Sequence, residues 1–160
     1  MGIRRLNHAV LYVRDIDRST AFYRDLLGFT VVTEFPGRAV FLRAAESDND
    51  HDLGLFQVGA AAVGPVPGQV GLYHLAWSVG TLVELADFAS RLGAAGALVG
   101  ASDHGVSKSL YAKDPDGVEF EVSWFVPRGR VTAEMEAVGV LPLDLEGEIG
   151  RWGGDLVGAA

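Results

Sequence analysis

Four histidines, His8, His51, His74 and His104, stand in a chain that has no cysteine. Any metal must therefore be held by nitrogen and oxygen, and disulfides, thiolate sites and cysteine nucleophiles are excluded. His8 and His74 lie about 66 residues apart, each in an apolar strand-like run. Two imidazoles need only a carboxylate to complete a metal face. The segment "GVEFEVSW" offers two, because Glu119 and Glu121 alternate with Val118, Phe120, Val122 and Trp124 and so share one side of an extended chain. Alternation alone does not rank them, although Glu121 is the natural candidate. Two histidines and one carboxylate suit Fe(II), or Mn(II), because that set leaves positions open for substrate and oxygen.

The elements that would position these residues come in one pattern used twice. "LNHAVLYV" reads as a strand and "DIDRSTAFYRDLLG" as a helix with Asp15 or Asp17 near its cap, Phe22 and Leu26 on one face, and Gly28 at its end. "FTVVTEF", "AVFLRAA" and "HDLGLFQV" read as three strands, and "AAAVGPVPGQVG" as a linker. The order then begins again with "YHLAWSV", a helix "TLVELADFASRLG" opened by a Thr81–Glu84 capping pair, and the strands "ALVGAS", "SKSLYAKD" and "GVEFEVSW". His8, Val13, Phe22 and Leu26 recur as His74, Val79, Phe88 and Leu92 at the same spacings. The expected fold is α+β: two βαβββ modules, about 5–58 and 71–126 within residues 1–126, forming a curved mixed sheet around a metal groove. Twofold symmetry of the modules would bring His8 and His74 to opposite walls of that groove. The same count that leads from His74 to Glu121 leads from His8 to Leu55, beside Gly54, so the first module has no matching fourth ligand.

Residues 127–160 form a C-terminal extension outside the repeat. "TAEMEAVGV" reads as a short helix and "PLDLEGEIGRW" as a second segment opened by Asp144, while five glycines from Gly147 to Gly158 disfavour a regular helix. The extension is expected to pack over a groove edge or a partner subunit. In the "DPDG" stretch, Asp114 and Asp116 are expected to shape a turn, and Phe41, Phe56, Trp77, Phe120 and Trp124 to fill the core.

A net charge of −8 with scattered basic residues argues against a nucleic-acid or anionic-membrane partner. With no long apolar run and no leader-like N-terminus, a cytoplasmic location is expected. A small molecule is the expected partner.

From His104 the chain reads "HGVSKSLYAKDPDGVEFE": a histidine, five residues, Leu110 and Tyr111, two residues, then "DPDG" and Glu121. This stretch, with the paired modules, resembles the vicinal oxygen chelate superfamily (glyoxalase, bleomycin resistance and dioxygenase proteins), and within it the type I extradiol, catechol 2,3-dioxygenase-like enzymes. The resemblance covers roughly residues 5–126. Ser102 stands where that family usually has glycine, asparagine, threonine or an aliphatic residue, and the chain has room only for the catalytic pair of modules.

The resemblance implies that His8, His74 and Glu121 bind iron and that His104 and Tyr111 line the substrate site. "HDLGLF" places His51 where the family has its acid/base catalyst. The activity implied is Fe(II)-dependent ring cleavage of a catechol-type aromatic diol by O2, with Mn(II) as the other metal considered and a homodimer as the expected assembly. The alternatives are a metal-dependent glyoxalase- or thiol-transferase-like enzyme, and a drug- or metabolite-binding protein of the same fold.

Overall fold

A computed structural model describes residues 2–159 of the chain. They divide into two compact units: one runs to Pro67 and includes Pro115–Gly117, and the other comprises Gly68–Asp114 and the chain from Val118 onward.

In the first unit, β1 (Ala9–Val13) leads to α1 (Ile16–Ala21), then β2 (Thr30–Phe35), β3 (Ala39–Arg43) and β4 (Leu53–Gln57). The sheet order is β1-β4-β3-β2, with β1 parallel to β4 and the other pairs antiparallel. Asp15, not Asp17, caps α1, accepting from the Arg18 N–H at 3.0 Å. The helix does not continue as α to Gly28. It widens into a π turn over Phe22–Leu26, so the expected Phe22–Leu26 stripe is displaced. Tyr23 is the side chain this turn buries, edge-on to Phe29 at 6.0 Å between centroids. Gly28, at φ 78°, then takes the left-handed conformation that ends the segment.

Strand alternation decides which face is core. Leu11, Val13, Val40, Leu42, Leu53 and Leu55 are buried, whereas Val10 and Tyr12 on the other face of β1 are exposed. Asp116 does not simply shape its turn. Its side chain is 5% exposed and accepts from the backbone of Arg14 and from the guanidiniums of Arg14 and Arg18 at 3.2 and 2.9 Å.

In the second unit, β5 (His74–Ser78) leads to α2 (Leu82–Ala94), β6 (Leu98–Asp103), β7 (Ser107–Lys113) and β8 (Glu119–Phe125). The capping box forms as expected, with Thr81 and Glu84 each accepting from the other's backbone N–H. β5 is parallel to β8, β7 is antiparallel to both β8 and β6, and a short β9 (Leu141–Pro142) extends the edge beside β6. Leu82, Leu85 and Leu92 of α2 are buried, as are Leu110, Phe120, Val122 and Trp124 of the sheet. Each such side chain contributes about 1.5–3 kcal/mol relative to exposure. The other aromatic expectations hold less well, since Phe56 is 37% exposed.

The extension forms α3 (Ala133–Glu136), β9 and α4 (Leu145–Trp152), the last capped by Asp144. Gly147 and Gly150 thus lie inside a helix, contrary to the expectation from their number. The cap and tertiary contacts outweigh the propensity cost of about 1 kcal/mol per glycine. The extension packs within its own unit: Gly154 accepts from the Val83 N–H of α2, Leu156 accepts from the Trp124 indole at 3.2 Å, and Trp152 lies 6.1 Å from Trp124 between ring centroids. It therefore covers the side of the sheet on which Trp124 lies, opposite to Glu121.

Candidate active site

Glu119, Glu121 and Ser123 alternate with the buried Phe120, Val122 and Trp124, so β8 turns its polar side away from the apolar core. On that side, Glu121 lies across from Ala76 of β5 and from Tyr111 of β7, while Ser123 lies across from Ser109. His74 Nε2 is 3.1 Å from Glu121 Oε2. The other carboxylate oxygen accepts from the Ser123 hydroxyl at 2.5 Å, and Ser123 is 3.1 Å from the Ser109 hydroxyl.

Proton accounting fixes the direction of this chain. With Glu121 ionised, the Ser123 proton is committed to the carboxylate, so Ser109 supplies the hydrogen bond to Ser123. Both serines are fully buried, and leaving either unpaired would cost about 1–3 kcal/mol. Sequence reasoning missed them. The available signal was polar residues at alternate positions in "SKSLYAK" and "EFEVSW", on the same side as Tyr111 and Glu121.

Tyr111 Oη is 2.8 Å from His104 Nε2, and its ring stands 5.9 Å from that of His74. Burial pushes the Tyr111 phenol above its ordinary value, and the nearby Glu121 carboxylate adds to the shift. Tyr111 is thus kept as a protonated hydrogen-bond donor. Four of the six residues singled out from the sequence, His74, His104, Tyr111 and Glu121, are brought together in this unit.

The other two meet in the first unit. His8 and His51 have ring centroids 4.5 Å apart, and Phe41 stands 4.9 Å from His51. His8 directly precedes β1 instead of lying within it. Its Nδ1 is 2.8 Å from the side-chain oxygen of Asn7. Because that oxygen can only accept, the contact favours, for the neutral ring, the tautomer with its proton on Nδ1, which leaves Nε2 as the nitrogen able to bind a metal.

His51 follows the polar loop "ESDND" that separates β3 from β4. Asp52 accepts from the Ala44 N–H, Ser47 and Asn49 at 2.9, 2.8 and 2.6 Å. Burial alone would raise its pKa, but these hydrogen bonds outweigh it and hold the carboxyl below its usual value. The closely spaced Ser, Asp and Asn of "ESDND" are the residue types that close such loops.

The donors suit a divalent cation of the Fe(II) or Mn(II) kind. Two ligands at about 2.1 Å and at right angles stand about 3.0 Å apart, close to the His74–Glu121 separation. His74 Nδ1, the ring nitrogen that does not face Glu121, is buried without a hydrogen-bond partner. Among the described residues no three His, Asp or Glu side chains gather into a group that could hold a metal. The position matching Glu121 in the first unit is Gly54, since Val10 pairs with Gly54 as Ala76 pairs with Glu121. A β-carbon there would meet Val10 and Phe41 at 3.3 and 3.4 Å.

The chain is similar to several known proteins. The chain is 31% identical over 146 residues to the catechol-2,3-dioxygenase of Bacillus subtilis, a match covering 89% of this chain and 50% of that protein. It is 37% identical over 125 residues to biphenyl-2,3-diol 1,2-dioxygenase 3 of Rhodococcus globerulus, covering 76% and 64%. The chain thus spans about half to two thirds of the length of these two relatives. Among solved structures, a lactoylglutathione lyase from Agrobacterium tumefaciens superposes with a TM-score of 0.59 at 28% identity, over 77% of this chain and 95% of that one. A fosfomycin resistance protein, FosX, from Listeria monocytogenes shares the fold, with a TM-score of 0.60 at 19% identity over 84% and 99% of the two chains. No helix among the described residues is long and apolar enough to cross a membrane. The profile of the Glyoxalase/Bleomycin resistance protein/Dioxygenase superfamily matches residues 5–122, and the chain belongs to that superfamily.

Proposed function

We propose that the chain is an Fe(II)-dependent extradiol dioxygenase that opens the ring of a catechol-type diol with O2, with Mn(II) as the alternative metal. The observation that carries this reading is the His74–Glu121 pair with the His104–Tyr111 pair beside it on one sheet face. The two relatives named as dioxygenases support it.

In this reading His8, His74 and Glu121 hold the metal, which when bound lets electron density pass between an electron-rich diol and oxygen. Ser123 occupies Oε1 of Glu121 and so presents Oε2 toward the metal. His51 acts as acid/base, taking a proton from the diol and returning one to the oxygen being cleaved, a task suited to an imidazole near neutral pH. Tyr111 keeps its proton and donates to a substrate oxygen, while His104 orients the phenol. The exposed Val10 and Tyr12 on the edge strand β1 motivate a homodimer as the working assembly, to be checked by light scattering.

The test is anaerobic loading with Fe(II), then oxygen uptake with a panel of catechols while following the yellow ring-opened product. Turnover of at least one catechol is expected. Stoichiometric iron without turnover of any would favour the second reading, a metal-dependent glyoxalase- or thiol-transferase-like enzyme, which the likeness to the lactoylglutathione lyase supports.

A further inference from the structure

The turn that carries His104 is held from outside the repeat. His104 lies between the end of β6 and the start of β7, where its N–H donates to the Ser107 carbonyl at 2.9 Å. Inside this turn, Asp103 Oδ1 accepts from the Gly105 N–H at 2.7 Å. The ammonium of Lys108 donates to Asp103 and to the Gly105 carbonyl, binding both flanks of His104. Lys108 is 1% exposed, on the same side of the sheet as Trp124 and opposite to Tyr111. A lysine so deeply buried is retained only with charged partners.

Its second carboxylate comes from the extension. Glu148 of α4 lies 3.3 Å from Lys108 Nζ and is itself fixed by the Trp152 indole at 2.8 Å. Two further contacts reach the same turn. Leu141 and Pro142 pair with Asp103 and Ser102. Gly105, at φ +75°, lies so close to Met135 that a β-carbon would collide with the Met135 carbonyl oxygen. Three parts of the extension, near Met135, at β9 and at Glu148, therefore contact the three-residue turn or the strand residues that flank it, and the histidine of that turn meets Tyr111.

We propose that the C-terminal extension is part of the site's framework, and that Lys108, anchored by Glu148, is a positioning residue that sets His104 against Tyr111. Its bearing on catalysis rests on the dioxygenase reading, whereas the placement of His104 does not. A lysine serving stability alone would leave the His104–Tyr111 hydrogen bond as it is when removed.

The test compares Lys108→Met and Glu148→Ala with the wild type by the ring nitrogen resonances of His104, recorded without metal at one pH and assigned through their loss in His104→Gln. A Tyr111→Phe variant supplies the spectrum of His104 without its phenol partner. Both test variants should move the His104 resonances toward that reference while those of His51 stay in place. In iron-loaded enzyme, kcat/KM should fall about tenfold to hundredfold at unchanged iron content, the scale of a displaced positioning group. A lower melting temperature with His104 resonances coincident with wild type would overturn the proposal. Should Lys108→Met fail to fold, Glu148→Ala decides, because it leaves Lys108 with Asp103 and Gly105, with Trp152→Phe as the control for the indole contact that Glu148 also makes. Absence of dioxygenase activity in the wild type would sink the proposed reaction, and the resonances would still decide the positioning role.

Discussion

His74 and Glu121 bring Nε2 and Oε2 within 3.1 Å although their backbones are not partners: His74 pairs with Glu119, and Glu121 with Ala76. The contact is diagonal across parallel strands, within reach of long side chains. It joins His74 to Glu121, and it leaves Oε1 for Ser123.

Ser123→Ala should therefore weaken metal binding. Outer-sphere partners of metal ligands are typically worth about tenfold to hundredfold in affinity, and the orphaned Ser109 hydroxyl adds about 1–3 kcal/mol of destabilisation. Isothermal titration of the metal-free protein with Mn(II), beside urea unfolding, separates the two effects. Wild-type affinity in the variant would show that Glu121 does not need Ser123 for its orientation.

Under the proposed role of Tyr111 as a donor to the substrate, Tyr111→Phe should lower kcat about 10²- to 10³-fold with iron content unchanged. Because burial and Glu121 raise the phenol's pKa, its proton should persist beyond the ordinary tyrosine value of about 10. The phenolate absorbance of the wild type minus that of the variant should appear only above that pH. A Tyr111 step at lower pH would contradict the described environment.

Asp52 ties stability to acid. Its folded pKa is depressed, so its contribution is present above the unfolded value of about 4 and is lost as pH falls through the folded one. Urea unfolding of wild type and Asp52→Ala should differ by about 1–3 kcal/mol at pH 7 and converge as the pH drops below 4. A gap independent of pH would mean that packing, and not the ionised carboxylate, holds the loop before His51.

The repeated element order, the capping box at Thr81 and the motif ending at Glu121 were legible because each is a local pattern with fixed spacing. The π turn was not, since the burial of Tyr23 against Phe29 overrides the four-residue stripe of Phe22 and Leu26. Nor was the role of Lys108. A lysine in a strand reads as solvated until Asp103 and Glu148, 5 residues before it in one case and at the far end of the chain in the other, are seen to converge on it. Gly147 and Gly150 misled for a related reason, because the contacts that hold α4 are tertiary.

Gly54 limits how this duplicated chain can diverge. For the first module to acquire a carboxylate at the position matching Glu121, Val10 and Phe41 must each give by a few tenths of an ångström. Phe41 in turn stands 4.9 Å from His51. A change in the number of acidic ligands would thus disturb the imidazole assigned to proton transfer, so ligand count and acid/base chemistry are set to evolve as a linked trait.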